Sequence, residues 1–368
     1  MKRSLSVNRV IDRFFGGVFF SPDRRMPTII FLLHPSTDPI IPTLVAAGYA
    51  CVAFDTTGAG RSPYTGIEQS VASLADDVEA LLAHLKVHRA IIVGHSMGGM
   101  VAAELTSRSG RIEKTQSNNE DQPLQQHEQQ QLQQQDGQDD QLKPQERNQP
   151  GGVDNHGGET NHVPQQQQQQ QREQEQNPEH LQRQRPRWSG QIAATVWIGP
   201  VLPSAGVADV FRKRIERVEA EGMEAMANTI PLAATAPSAS PLVHAFIREL
   251  LLGHTAPGYV SNCRVIAGAA VAETASSSSS SPPSLSPCSL PSWYHRVACP
   301  VLLLAGKEDN SVPLANCETI FASLNERVRR KSNMVVLENC GHWHVLERPD
   351  AVANEMLGFL KKTLSTTA

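Results

Sequence analysis

The chain has 368 residues, enough for one large domain or two small ones, and only 39% of them are hydrophobic, so part of it is expected not to fold. A net charge of −4 argues against nucleic acid or an anionic membrane surface as partner, and no apolar run approaches the roughly 20 residues of a membrane span. The six cysteines (Cys51, Cys263, Cys288, Cys299, Cys317 and Cys340) show no C-x-x-C spacing, so no zinc or redox motif, metal or cofactor is implied.

Buried thiols in a reducing, cytoplasmic compartment are the expectation. Lys2 and Arg3 are followed by Arg9, Asp12 and Arg13, which interrupt any apolar stretch, and no secretory signal is expected. Phe14, Phe15, Val18, Phe19 and Phe20 supply one or two edge strands. Thr28 to Leu33 reads as a short buried strand, ended by His34-Pro35. A helix starts near Pro42, with proline in its first turn. Tyr49 to Phe54 is another buried strand, closed by Asp55, which is expected to pin the following turn. Val71 to Leu85 has helical spacing at Leu74, Val78, Leu81, Leu82 and Leu85.

Ala90 to Val93 is a third apolar run, and Gly94-His95-Ser96-Met97-Gly98 follows it. This G-x-S-x-G pattern lies between a strand-like run and a small-residue helix containing Val101, Ala102, Ala103 and Leu105. Such a serine sits on a tight turn that lifts its hydroxyl clear of the sheet edge, and the flanking glycines leave room for the backbone. The N–H groups of the helix N-terminus then face the oxygen on which negative charge develops.

From about Gly110 to Arg187 glutamine, asparagine, acidic residues, glycine and proline dominate, with an unbroken run from Gln165 to Gln171. Too little is apolar to offset the entropy of ordering, so a disordered surface insertion is expected over 111–187. Ile192 to Ile198 resumes the strand pattern. Asp209 to Met226, Pro241 to Leu252 and Tyr259 to Ala269 read as helices without an intervening strand, a helical cap over 203–274. A Ser/Pro-rich linker follows over 275–291. Val301 to Leu304 and Asn333 to Leu337 are the last strands, with helices over Leu314 to Leu324 and Pro349 to Leu364. Core segments are therefore expected at 1–110, 188–202 and 292–368. Strands alternating with helices imply an α/β fold with a mostly parallel, doubly wound sheet.

Three chemically suited residues lie just past strand ends, where sites collect in open parallel sheets: Ser96, Asp309 and His342. Serine needs a base to take its proton, and a carboxylate to hold the base's other nitrogen. Glu308 and His344 are the alternative acid and base.

The motifs FDTTGAGRS (Phe54 to Ser62), VGHSMGG (Val93 to Gly99), LLLAGKEDNSVP (Leu302 to Pro313) and CGHWHVLERPD (Cys340 to Asp350) together resemble the α/β-hydrolases. The cap runs GMEAMANTIP (Gly222 to Pro231) and GYVSNC (Gly258 to Cys263) are similar to the 3-oxoadipate enol-lactonase-like group. The resemblance implies Ser96 as nucleophile, His342 as general base and Asp309 as orienting carboxylate. It implies an oxyanion hole from the N–H of Met97 and one from the loop after the Thr28–Leu33 strand. That loop departs from the family's His-Gly continuation. It reads His34-Pro35-Ser36, and since Pro35 has no N–H, Ser36 is the candidate donor.

The implied substrate is a small-molecule ester or lactone, an enol-lactone of a small acid in the nearer analogy. A general carboxylesterase, or a binding protein that has lost activity, are the alternatives. Among Arg212, Lys213, Arg214 and Arg217, with Arg248 beyond, either a substrate carboxylate is held or a solvated helix face is formed; Arg217 and Arg248 are the candidate substrate-binding residues. The oligomeric state is not legible.

Overall fold

The computed structural model describes residues 18–19, 26–32, 39–119, 188–275 and 290–365. The chain divides into two compact units, Met1–Ile112 with Arg187–Ala368, and Glu113–Pro186. Beyond the helical residues up to Asn119, the glutamine-rich stretch lies outside the described residues. So do most of the Ser/Pro-rich linker and the loop holding His34, Pro35 and Ser36.

The first unit is built on a sheet of β1 (Val18–Phe19), β2 (Thr28–Leu32), β3 (Ala50–Phe54), β4 (Arg89–His95), β5 (Gln191–Ile198), β6 (Val301–Gly306) and β7 (Asn333–Leu337). Their spatial order is β1-β3-β2-β4-β5-β6-β7. All neighbours pair in parallel except β1, which runs antiparallel to β3 at the edge. Strands β2 to β6 are largely apolar without alternation because both faces are covered. Ile30, Leu32, Val52, Phe54 and Ile92 enter one apolar layer, and Ile29, Phe31, Cys51, Ile91 and Val93 the other.

Helices α1 (Ile41–Ala46), α2 (Val71–His84) and α3 (Met97–Asn119) connect the first strands. The first layer is closed by Leu74, Val78 and Leu82 of α2 with Val101 and Leu105 of α3. The second is closed by Leu44 of α1 and by a long C-terminal helix carrying Val352, Met356, Phe359 and Leu360. Ser70 and Ser73 form a reciprocal capping box that starts α2 where the apolar spacing begins.

Between β5 and β6 the chain leaves the sheet as α4 (Ala205–Glu221), α5 (Met223–Ala227), α6 (Ile230–Ala233), α7 (Pro241–Leu252) and α8 (Ala256–Ala275). Ser204 caps α4 by accepting from Val207 N at 3.2 Å, and Ser240 caps α7. The helices bury their own apolar clusters, one of Val218, Met223, Met226 and Val260, another of Ala227, Ile247 and Leu251. The chain then returns through α9 (Ser292–Arg296) to β6, α10 (Leu314–Ala322), α11 (Glu326–Arg329), β7, α12 (His344–Glu347) and α13 (Pro349–Ser365).

Parallel register puts the ends of β4 to β7 on one rim. His95 pairs with Ile198, Ile198 with Leu304, and Gly306 with Leu337. Loops carrying Ser96, Gly199, Asp309 and His342 therefore leave the sheet side by side.

The turn from β4 into α3 is too tight for side chains at its flanks. A Cβ on Gly94 would lie 2.1 Å from Gly98 O, and one on Gly98 would lie 2.4 Å from Leu32 O. Both contacts are with backbone, so no rotamer change relieves them. Gly94→Ala should therefore lower stability by about 1–3 kcal/mol, the usual penalty of overpacking, read as a fall in the urea unfolding midpoint at unchanged m-value.

Candidate active site

Ser96 adopts φ +53°, a left-handed conformation that serine rarely takes. It is held there by its own N–H donating to Ile198 O at 2.9 Å, and by Gly99 N–H donating to Ser96 O at 3.0 Å. Met97 follows as the first residue of α3.

His342 Nδ1 donates to Asp309 Oδ2 at 2.8 Å, in a pair whose side chains are 11% and 1% exposed. The other oxygen of Asp309 accepts from the N–H groups of Ser311 and Val312, each at 2.8 Å. Burial pushes the Asp309 carboxyl upward, but the His342 imidazole, its hydrogen bond, His344 and the Val312 N–H outweigh it and hold the group below its ordinary value. With Nδ1 committed to the carboxylate, Nε2 is the nitrogen of His342 that remains for acid–base work. Ser96, Met97 and His342 line one cavity of about 780 Å³.

Glu308 and His344 have other engagements. Glu308 Oε2 accepts from Cys340 N at 2.7 Å, which ties the acid loop to the histidine loop, and Glu308 does not line the cavity. His344 is fully buried, and its Nδ1–H donates to His342 O at 2.8 Å. His95 Nε2–H donates to the same carbonyl at 2.7 Å. Two imidazoles thus clamp the peptide of a third. Burial first, then the neighbouring imidazoles, pushes His95 well below the ordinary histidine value. Burial lowers His344 to about 4. Sequence reasoning passed over His95, although it sits inside the G-x-S-x-G motif.

Gly199 follows β5 at φ +50°. A Cβ there would stand 2.9 Å from His344 Cε1 and 3.3 Å from Asp309 Oδ2, so only glycine lets the end of β5 pass this close to the acid–base pair. Asp55 accepts from Arg61 N at 2.9 Å and holds its turn, the structural role expected of it.

Of the candidate substrate-binding arginines, neither Arg217 nor Arg248 lines the cavity. Arg217 pairs with Glu221 at 3.4 Å. Arg248 donates to Asn228 Oδ1 at 3.2 Å and pairs with Glu249 at 3.4 Å. The cation on the wall is Arg214, half-buried over the Phe211 ring at 4.8 Å. Helical geometry explains the difference. At 3.6 residues per turn Arg214 lies roughly 60° from the Phe211 face of α4 and Arg217 roughly 120° from it.

The cap side of the wall adds Tyr259, Asn262 and Cys263, none of which the sequence reading assigned to a site. Asn262 Oδ1 and Trp343 Nε1 are buried with no hydrogen-bond partner among the described residues, and both residues face the cavity. Ser36 lies outside the described residues.

Two family models match, one described as alpha/beta hydrolase fold over residues 33–207 and the other as alpha/beta hydrolase family over 176–355. The chain belongs to the alpha/beta hydrolase family. Among solved structures, the enol-lactonase from Burkholderia xenovorans LB400 superposes with a TM-score of 0.60 at 18% identity, over 95% of this chain and 96% of that one. An esterase from Exiguobacterium antarcticum gives 0.60 at 12%, over 95% of each. At these identities the likeness establishes the shared fold.

A non-heme haloperoxidase from Rhodococcus erythropolis is 38% identical over 73 residues, 19% of this chain and 27% of that protein. A 2-hydroxy-6-oxo-6-(2'-aminophenyl)hexa-2,4-dienoic acid hydrolase from Metapseudomonas resinovorans is 32% identical over 77 residues, 21% of this chain and 25% of its own. The matched stretch thus spans about a quarter of each curated relative.

The buried histidines of this hydrolase give it a defined acid sensitivity. An unfolded chain takes up protons near pH 6.5, whereas folded His344 stays neutral until about pH 4. Stability should therefore fall as pH drops from 6.5 towards 4, because the unfolded state binds more protons. His344→Asn, which keeps an N–H for the His342 carbonyl but does not titrate, should flatten the dependence of the urea midpoint on pH. Asp309 acts lower. Its contribution is present above the unfolded carboxyl value of 3.8 and is lost as pH falls below that through the folded value. The gap in urea midpoint between wild type and Asp309→Asn should hold at neutral pH and close below pH 3.8.

Proposed function

We propose that this hydrolase cleaves a small carboxylic ester or lactone through an acyl-serine, with Ser96 as nucleophile, His342 as general base and then acid, and Asp309 as its orienting carboxylate. One observation carries the reading: the His342 Nδ1–H is spent on a buried carboxylate at 2.8 Å, and the same ring lines the cavity that Ser96 lines.

In this scheme His342 Nε2 takes the hydroxyl proton as Ser96 Oγ bonds the carbonyl carbon. The oxyanion is held by the N–H of Met97 and by a second N–H from the loop after β2, that of Ser36. The imidazolium then protonates the leaving alkoxide as its C–O bond breaks, and water repeats the sequence to release the acid. In a lactone the leaving oxygen stays tethered to the acyl chain, so ring opening and release are separate events.

The cavity walls support a substrate that is apolar in body and polar at its ends. Val201, Leu202, Val207, Phe211 and Ile266 supply the apolar surface, and Arg214 suits a carboxylate. The name of the enol-lactonase that shares the fold points towards an acidic lactone of that kind. No helix among the described residues is long and apolar enough to cross a membrane, and the substrate is taken to be a small molecule.

A fluorophosphonate probe should label wild type and leave Ser96→Ala unlabelled. On p-nitrophenyl esters, Ser96→Ala and His342→Ala should each lower kcat by about 10³ or more. Unchanged turnover in either variant overturns the assignment of that residue. Arg214→Gln should raise KM about tenfold, equivalent to about 1.4 kcal/mol, for esters bearing a carboxylate on the acyl chain, and leave neutral esters unmoved. An equal effect on both ester classes removes the acidic-substrate reading.

A further inference from the structure

Glu347, at the end of α12, holds three backbone N–H groups from two distant parts of the chain. Its Oε2 accepts from Gly341 N at 2.9 Å and from Ala236 N at 2.7 Å, and its Oε1 accepts from Trp343 N at 3.0 Å. Gly341 and Trp343 flank His342 on either side. Ala236 belongs to the turn that leaves α6 in the cap. Between these bonds the N–H of His342 donates to Ala234 O at 2.7 Å. The histidine loop and the cap turn are therefore laced together through consecutive peptides, and one carboxylate closes the lacing on both sides.

The contact is close enough to dictate sequence. A Cβ on Gly341 would lie 2.6 Å from Ala236 N and from Thr235 C. The turn is anchored in its own helices too. Thr235 Oγ1 donates to Pro231 O at 2.7 Å and lies 3.0 Å from His244 Nε2 of α7. The same part of the cap forms a cavity wall, since Ile230, Ala233 and Ala234 line the space that Trp343 and His342 face. Hydrogen bonds to a carboxylate are the stronger kind, and loss of one acceptor oxygen leaves a half-buried N–H unpaired.

We propose that Glu347 is a positioning residue that couples the seating of the cap turn 234–236 to the alignment of His342, so that an acyl group resting on the α6 wall helps set the base. The kinetic side rests on His342 being the base. The structural side does not. Glu347→Gln keeps the size of the side chain but replaces one acceptor oxygen with a donor. Glu347→Asp keeps the charge but is too short to span both partners. Either variant serves if the other fails to fold.

Hydrogen exchange followed by mass spectrometry should show faster exchange, by about tenfold, in peptides covering both 230–240 and 338–348, with β6 unchanged. Faster exchange confined to 338–348, or no change, overturns the coupling. On p-nitrophenyl esters of increasing acyl length, kcat should fall about 10- to 10²-fold for acyl groups long enough to reach the α6 wall and less for acetate, with KM moving less than threefold. A uniform fall across acyl lengths would mark a merely structural role. Failure of the serine-hydrolase reading would appear separately, as wild-type turnover in Ser96→Ala, while the exchange result stands independently of it.

Discussion

His342 is held by hydrogen bonds at its ring and at both its backbone N–H and its carbonyl. Its Nδ1–H is committed to Asp309 at 2.8 Å, its backbone N–H to Ala234 O at 2.7 Å, and its carbonyl receives His95 at 2.7 Å and His344 at 2.8 Å. These partners come from the loop after β6, the cap, the end of β4 and the start of α12. The bonds fix different parts of the residue, the ring nitrogen, the backbone N–H and the carbonyl. A site assembled this way depends on the sheet, because three of the four anchors leave neighbouring strands or follow directly from them.

Such density has consequences for packing and for electrostatics. Where backbones pass close to one another or to the Asp309–His342 pair, side chains must vanish: glycine stands at 94 and 98 in the turn around Ser96, at 199 against Asp309 and His344, and at 341 against the cap turn. Where imidazoles surround another imidazole, all but one must stay neutral. Desolvation drives His95 and His344 that way, and each directs its single N–H at the same carbonyl. His344 then leaves its Nε2 buried without a partner among the described residues, a local cost the arrangement carries. The His342 ring differs from His95 and His344 in that its Nδ1–H is backed by a carboxylate that itself accepts from two backbone N–H groups.

The parts of this design that were legible in the sequence are those whose physics is local. Apolar β-branched runs marked β2, β3, β4, β5, β6 and β7 to within a residue or two, because buried parallel strands leave no other pattern. Gly94 and Gly98 mark a tight turn around Ser96 in the sequence itself. The residues whose roles come from distant contacts were silent. Nothing near Gly199 says that Asp309 and His344 will stand against it, and nothing near Glu347 says that Ala236 will. On α4 the arginines at 212, 214 and 217 all read as one charged face, and only the rotation of the helix against α8 separates Arg214, over Phe211, from Arg217, beside Glu221. Short helices such as α5, α6 and α12 are below the length at which periodicity can be seen. Asp209 to Met226 accordingly reads as one helix, where the chain breaks at Gly222, φ +76°, into α4 and α5.

The cavity divides its labour along the same line. The rim of the sheet supplies Ser96 and His342, and a constellation of that kind would be chemically indifferent to which acyl group it meets. The cap supplies the surface that can discriminate, from Phe211 and Arg214 on α4 to Tyr259, Asn262 and Cys263 on α8. A buried Oδ1 on Asn262 and a buried Nε1–H on Trp343 lack partners among the described residues, and each such group in a closed core costs about 1–3 kcal/mol. The helices between β5 and β6 thus supply much of the cavity surface beyond the rim of the sheet.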